Sequence, residues 1–301
     1  MTQIGLIGFG RWGKLIFRDL RSLGVSVHVA VPSPGSQTSA REAGAATVCG
    51  RAGDLPDCDG YVVASVTAQH AACIAGIAQR DRPVFVEKPL TTDPASARSL
   101  ASALGGRLFV MDKWRYHPGV LKLAELAKAG ALGDIEAIRT FRLGWGNPHK
   151  DVDVLWILLP HDFSIALEIL GYLPPADTTM SQRPGLSQED LVVRLSDNLG
   201  GASVTVEISA LHPASKRSVV VIGSKAVAQM TDSYDDDILL VSRGSSGKPQ
   251  KIPVGKDMPL LAELKAFVGH IEGGPPPKSS AAEGALIVQR IAEVRALAGL
   301  S

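Results

Sequence analysis

The chain has 301 residues, 45% of them hydrophobic and 20% charged, which excludes a disordered protein with too few apolar groups to offset its ordering entropy. At this length one core usually gives way to two domains. Its 31 basic and 30 acidic residues leave a net charge of +1, so there is no electrostatic ground for a nucleic-acid partner. Cys49, Cys58 and Cys73 suit neither a disulfide framework nor a metal site and fit a reducing compartment. No basic stretch precedes the apolar opening, and no apolar run approaches the ~20 residues of a bilayer span. The expectation is a cytoplasmic protein with no membrane partner.

The first 120 residues alternate short apolar runs with helical spacing. Strands are expected at Ile4–Ile7, Val25–Val31, Gly60–Ser65, Pro83–Val86 and Leu108–Met111, with helices at Arg11–Leu23 and from about Gln69 to Gln79. Strands alternating with helices imply parallel βαβ units, and near-continuous runs such as Tyr61-Val62-Val63-Ala64 suit strands buried on both faces. After a helix near Gly119–Ala129, Asp134–Trp145 reads as a strand and Val152–Leu170 as a long helix. Asp190 to Val241 carries strands of period two without helices between them, the pattern of an antiparallel or mixed sheet. Leu260–Ile271 and Ala281–Ala298 read as closing helices. The predicted architecture is α/β, a doubly wound Rossmann domain over 1–118 followed by an α/β domain with a large open, mainly antiparallel sheet over 119–301.

The first chemistry-bearing motif is Gly8-Phe9-Gly10-Arg11-Trp12-Gly13, set between the first strand and the first helix. Gly8 permits the tight turn, Gly10 lets a pyrophosphate approach the backbone, and Gly13 lets the helix pack closely on the strand. The helix N-terminus adds free N–H groups and partial positive charge. A bare GxGxxG is weak evidence, but here it has the context that dinucleotide binding requires. An acid that would hold a ribose 2′-hydroxyl is absent from Val31-Pro32-Ser33-Pro34-Gly35-Ser36. This admits a 2′-phosphate, with Ser33, Ser36 and Arg11 as contacts, and leans the cofactor toward NADP with NAD open. Ser33 and Ser36 also fit a plain Pro/Ser turn. Ser65 and Thr67 stand at a strand end suited to a nicotinamide ribose.

Three features then combine: the N-terminal GFGRWG, Glu87-Lys88-Pro89 after the fourth strand, and His161 on a helix of the second domain. Together with Ser65 to His70, Lys113 to Pro118 and Pro275-Pro276-Pro277, they resemble the glucose–fructose oxidoreductase / inositol dehydrogenase (Gfo/Idh/MocA) family over nearly the whole chain. The resemblance implies NAD(P)-dependent oxidation or reduction of a sugar or cyclitol, with Glu87 and Lys88 beside the cofactor. It also implies a homodimer or homotetramer paired through the open sheet. GRWGK and Trp156…Pro160-His161-Asp162 are similar to a branch associated with nucleotide-sugar and amino-sugar biosynthesis.

Oxidising an alcohol moves a hydride from carbon and a proton from oxygen. Histidine starts near a pKa of about 6.5 and exchanges a proton at neutral pH with little tuning. Lysine starts near about 10.4 and would need roughly 4 kcal/mol of perturbation to serve as a base. His161 is therefore the expected proton acceptor and charged Lys88 the donor that polarises the oxygen. Pro89 restricts Lys88 to an extended backbone, and the Lys–Pro bond is a candidate cis bond. The family's usual aspartate four residues before this histidine is here Ile157, which either lines a pocket for a less polar substrate or marks reduced activity. Asp153 and Asp162 are poorly placed to replace it.

Trp114 and Arg115 are candidates for the substrate cleft, the arginine through bidentate recognition of an acid or, alternatively, as an interdomain ion pair. Trp12 suits the cofactor or the core, and His70 a helix start. Asp235-Asp236-Asp237 reads as a solvated turn, and no residue set has metal-ligand spacing. The leading reading is a sugar, amino-sugar or polyol oxidoreductase. The alternatives are a reductase of another small carbonyl or an imine, and a dinucleotide-binding regulator of the same fold.

Overall fold

The computed structural model describes residues 1–147, 151–181, 185–197 and 199–300. The chain divides into two compact units. The first opens with β1 (Gln3–Ile7), α1 (Arg11–Ser22), β2 (Ser26–Ala30), α2 (Pro34–Glu42), β3 (Thr47–Cys49), β4 (Gly60–Val63), α3 (His70–Ala75), β5 (Val84–Glu87), α4 (Pro94–Leu104) and β6 (Leu108–Met111). Its six strands pair in parallel in the order β3-β2-β1-β4-β5-β6. The chain winds outward in both directions from β1 and β4, so a crevice opens at the carboxyl ends of those two strands, where ligands bind in such sheets. The helix expected from Gln69 to Gln79 is shorter: Thr67–Gln69 and Ala78–Arg80 are 3₁₀ turns flanking α3.

Two helices escaped the apolar-periodicity reading. α2 buries only Ala40, and α4 only Ala97 and Leu104, so neither shows a wide apolar stripe. Their signals are local instead. Ser33 caps α2 by accepting the Ser36 N–H, Asp93 caps α4 by accepting the Ser96 N–H, and a proline follows each cap, as helix starts favour.

The second unit contains α5 (Pro118–Lys128), β7 (Ile135–Trp145), α6 (Val154–Leu170), β8 (Ala176–Met180), β9 (Asp190–Leu195), β10 (Ser203–Ser209), β11 (Leu211–Gly223), β12 (Ala226–Met230), β13 (Asp237–Ser242) and β14 (Gln250–Pro253). Its eight strands run β14-β13-β12-β11-β7-β10-β9-β8. β7 and β10 pair in parallel and the other neighbours antiparallel, the mixed sheet expected. Helices α5 and α6 pack on one face. α6 starts two residues later than the sequence pattern suggests because Asp153 caps it, accepting the N–H groups of Leu155 and Trp156.

The chain ends in α7 (Pro259–Ile271) and α8 (Ala281–Leu297). Here the expected division at residue 118 is corrected. The first unit is Met1–Lys113 together with Met258–Val288, and the second begins at Trp114. The reason is packing. Phe267 of α7 stacks on Phe85 of β5 with ring centroids 5.0 Å apart, and Leu264, Phe267 and Val268 join the core cluster of Ile4, Leu6, Val27 and Phe85. Among the described residues no helix is long and apolar enough to cross a membrane.

Candidate active site

The glycine turn lies between β1 and α1, at the point where the sheet order reverses. Gly8 has φ +103°, and a Cβ there would stand 2.4 Å from the Ala64 carbonyl oxygen after β4. Only glycine fits such a position. A Cβ on Gly13 would stand 2.4 Å from the Gly8 carbonyl oxygen, so that glycine lets α1 sit on the turn, whereas a Cβ on Gly10 would meet nothing within 4 Å. Gly10 is also the N-cap of α1 and offers no side-chain cap to the helix N–H groups. The cradle therefore has open space and free donors where a pyrophosphate would lie. Arg11 is exposed on the first turn, and Lys113 Nζ sits 4.4 Å from the centre of the Trp12 ring. The Phe9 side chain is core, edge-on to Phe17 at 5.4 Å, so its part in the turn is played by its backbone. The Ser33 hydroxyl is engaged at the α2 cap.

The neighbouring strand ends carry the first unit's other candidates. Ser65 and buried Thr67 follow β4, and Glu87-Lys88-Pro89 ends β5, where the Lys88–Pro89 bond is cis. His70 ties the two segments together. Its Nδ1 lies 2.9 Å from the Pro89 carbonyl oxygen and its Nε2 3.2 Å from that of Ser65. Burial pushes the pKa of this imidazole down, and the Lys88 charge adds to the effect.

Glu87 belongs to an acid cluster whose other members, Asp112 and Glu263, the sequence reading did not single out. Glu87 pairs in register with Met111 of β6, which brings Asp112 and Lys113 next to Glu87 and Lys88. Glu263 comes from α7, one turn before Phe267. Since Phe267 stacks on Phe85, and Glu87 lies two residues further along β5, Glu263 falls over the strand end. Burial, with the Glu87 and Asp112 charges, pushes the Glu263 carboxyl well above the usual carboxylate range, against the pull of Lys113. Burial raises Glu87 as well, opposed by Lys88 and Lys113. The only sequence signal was an acid at helical spacing from Phe267, on the buried face of α7.

The remaining candidates lie in the second unit. His161 is half-buried on α6, tilted against the Trp114 ring at 6.4 Å. Trp114 also stacks on His117 at 4.9 Å and lies under the Arg142 guanidinium at 4.4 Å. Arg115 Nε donates to Glu168 of α6 at 3.0 Å, both side chains being buried. Ile157 is buried and lines a cavity of about 220 Å³ between α6 and the sheet. Neither nearby acid takes the place of a carboxylate at 157. Asp153 caps α6 and pairs with Arg295. Asp162 is buried in a two-point pair with Arg142, at 2.5 and 3.3 Å. Among the described residues no group of three or more His, Cys, Asp or Glu side chains is placed to hold a metal ion.

Residues 2–107 match the description "Oxidoreductase family, NAD-binding Rossmann fold". Over these residues the chain is similar to the Gfo/Idh/MocA family. It is 34% identical over 144 residues to an inositol 2-dehydrogenase of Acidothermus cellulolyticus, covering 44% of this chain and 42% of that protein. It is 27% identical over 227 residues to an inositol 2-dehydrogenase of Streptomyces avermitilis, covering 69% and 66%. These alignments therefore span under two thirds of the curated relatives' length. A levoglucosan dehydrogenase in complex with NADH and levoglucosan shares the fold, with TM-score 0.86, 16% identity, and 99% and 97% of the two chains covered.

Proposed function

We propose that this protein is an NAD(P)-dependent oxidoreductase of the Gfo/Idh/MocA type that transfers a hydride between a nicotinamide and a hydroxyl or ketone of a sugar, amino-sugar or polyol. The observation that carries this reading is the glycine cradle, where Gly10 leaves open space at an uncapped helix N-terminus. The residues present fit a dinucleotide: Gly8 to Gly13 would hold the pyrophosphate, and Ser65, Thr67 and Glu87 would flank the nicotinamide end. NADP is the favoured form. The segment after β2 has no acid to repel a 2′-phosphate and leads into the N-terminus of α2, and Arg11 is exposed on the first turn of α1.

A bound nicotinamide supplies the hydride exchange. The protein's own groups handle the oxygen and the proton. Lys88 acts as the cation that polarises the substrate oxygen, and His161 takes or returns the proton. Trp114 supports the imidazole from the side. An inositol 2-dehydrogenase and a levoglucosan dehydrogenase are among the proteins this chain resembles, which supports a cyclic, hydroxyl-bearing substrate. The sheet face turned away from α5 and α6 presents half-buried Phe141, Val192, Val220 and Ile222, and supports a homodimer or homotetramer built on that face.

A second reading, a dinucleotide-binding regulator with weak or no turnover, is favoured by Ile157 and by the commitment of Asp153 and Asp162 to arginines. The test is a panel of polyols, sugars and keto-sugars followed by the absorbance of reduced nicotinamide. The proposed function predicts turnover that falls at least a thousandfold in Lys88→Ala, with cofactor affinity within a few-fold. Tight cofactor binding with no turnover across the panel establishes the regulator, and turnover that survives Lys88→Ala removes that lysine from the chemistry.

A further inference from the structure

The cavity beside Ile157 contains a charge that the proposed chemistry does not use. It lies wholly within the second unit, lined by Ile157 and Leu158 of α6, Gly144 and Trp145 of β7, Ser209 of β10 and Arg217 of β11. Arg217 and Arg142 are directly opposite one another in the antiparallel β11–β7 register. Side chains so placed share a face of the sheet, and like charges opposite each other are unfavourable. The two arginines differ in how they are answered. Arg142 is neutralised by the buried carboxylate of Asp162. Arg217 donates its Nη1 only to the backbone carbonyls of Leu143 and Lys216, and among the described residues it has no carboxylate in ion-pair range. Burial and the Arg142 charge both weigh against its positive form, with more distant help from Asp162 and Asp232. No acid stands among the described residues lining the cavity. A half-buried guanidinium facing a second arginine, beside a cavity without acids, is a site waiting for an oxyanion.

We propose that this cavity receives an anionic group of the substrate, a carboxylate or a phosphate ester, with Arg217 as its counter-ion. At about 220 Å³ the cavity is below the range of about 300–1,000 Å³ typical of drug-sized ligand sites, so the acid is carried on a monosaccharide-sized molecule. The Ser209 hydroxyl, which accepts the Leu211 N–H at 3.1 Å, keeps its own proton to donate to the same oxyanion. Ile157 gives this a chemical reason: a carboxylate at that position would line the same cavity and repel the anion.

The inference deepens the oxidoreductase reading and rests on it for the identity of the ligand as substrate. The experiment compares hexoses with the matching uronic acids and hexose monophosphates, using wild type, Arg217→Gln and Arg217→Lys. The expected result is kcat/KM at least 30-fold higher for one acidic series than for the neutral sugar, about 2 kcal/mol at 1.4 kcal/mol per decade. Arg217→Gln should erase that advantage mainly through KM while leaving the neutral sugar within threefold, and Arg217→Lys should retain part of it. Which acidic series is favoured separates carboxylate from phosphate. Equal losses on neutral and acidic sugars, or a preference for neutral ones, overturn the proposal. If no sugar turns over, thermal stabilisation by the same acids decides separately. A shift abolished by Arg217→Gln keeps the anion site and removes the oxidoreductase reading, and no shift with any acid overturns the site.

Discussion

Replacing Glu263 with glutamine should stabilise the protein by an amount that grows as the pH rises. Glu263 is 1% exposed, and its Oε2 has no hydrogen-bond partner among the described residues. The groups facing it are Glu87 of β5, and Asp112 and Lys113 after β6. Burial and the two acids hold its carboxyl well above the usual 4.5. Below that value the folded and unfolded states both carry the proton, and the group contributes no pH dependence. Above it the unfolded chain releases the proton while the folded state keeps it. The native state then binds one more proton than the unfolded state, and stability falls by up to about 1.4 kcal/mol per pH unit until the native pKa is reached. Glutamine has nothing to release. Melting curves of wild type and Glu263→Gln between pH 4 and 9 should therefore diverge, the variant gaining on the order of 2 °C per kcal/mol. Two parallel curves would refute the reasoning. So would a variant that loses stability most at high pH, which would mean that Glu263 is ionised and held by Lys113.

The glycine turn predicts a split between fold and binding. Gly13→Ala forces a Cβ against the Gly8 carbonyl and should cost about 1–3 kcal/mol in thermal unfolding. Gly10→Ala meets nothing within 4 Å and should keep stability within about 1 kcal/mol, yet lose at least tenfold in dinucleotide affinity by titration. Asp162→Asn leaves Arg142 charged, buried and facing Arg217; it should cost about 3–5 kcal/mol by chemical denaturation.

Several parts of this molecule were legible in the sequence because their causes are local. The glycine turn reads correctly because a positive φ at Gly8 and a close approach at Gly13 leave no other residue possible. The buried strands read correctly because runs such as Tyr61 to Val63 have no polar face to offer. The starts of α2 and α4 were equally local, but Ser33-Pro34 and Asp93-Pro94 are capping signals that an apolar-stripe reading passes over. What could not be read is partnership at long range. Nothing in the sequence says that Phe267 stacks on Phe85 and returns α7 to the first unit, or that Glu263 follows it over the end of β5. Asp162 was visible beside His161, but its commitment to Arg142 depends on β7 lying under α6. Arg217 was invisible for the same reason: its significance comes from a register that sets it opposite another arginine.

The central claim is that the first unit holds a nicotinamide dinucleotide in the cradle of Gly8 to Gly13. The most direct test is an equilibrium titration of the protein with NADPH and NADH side by side, following the fluorescence of its tryptophans. Trp12 stands within the turn itself. Saturable binding, tighter for NADPH by at least tenfold and lost in Gly10→Ala, is the predicted result. Tighter binding of NADH would assign the ribose end to other contacts and leave the cradle intact; binding of neither would contradict the account.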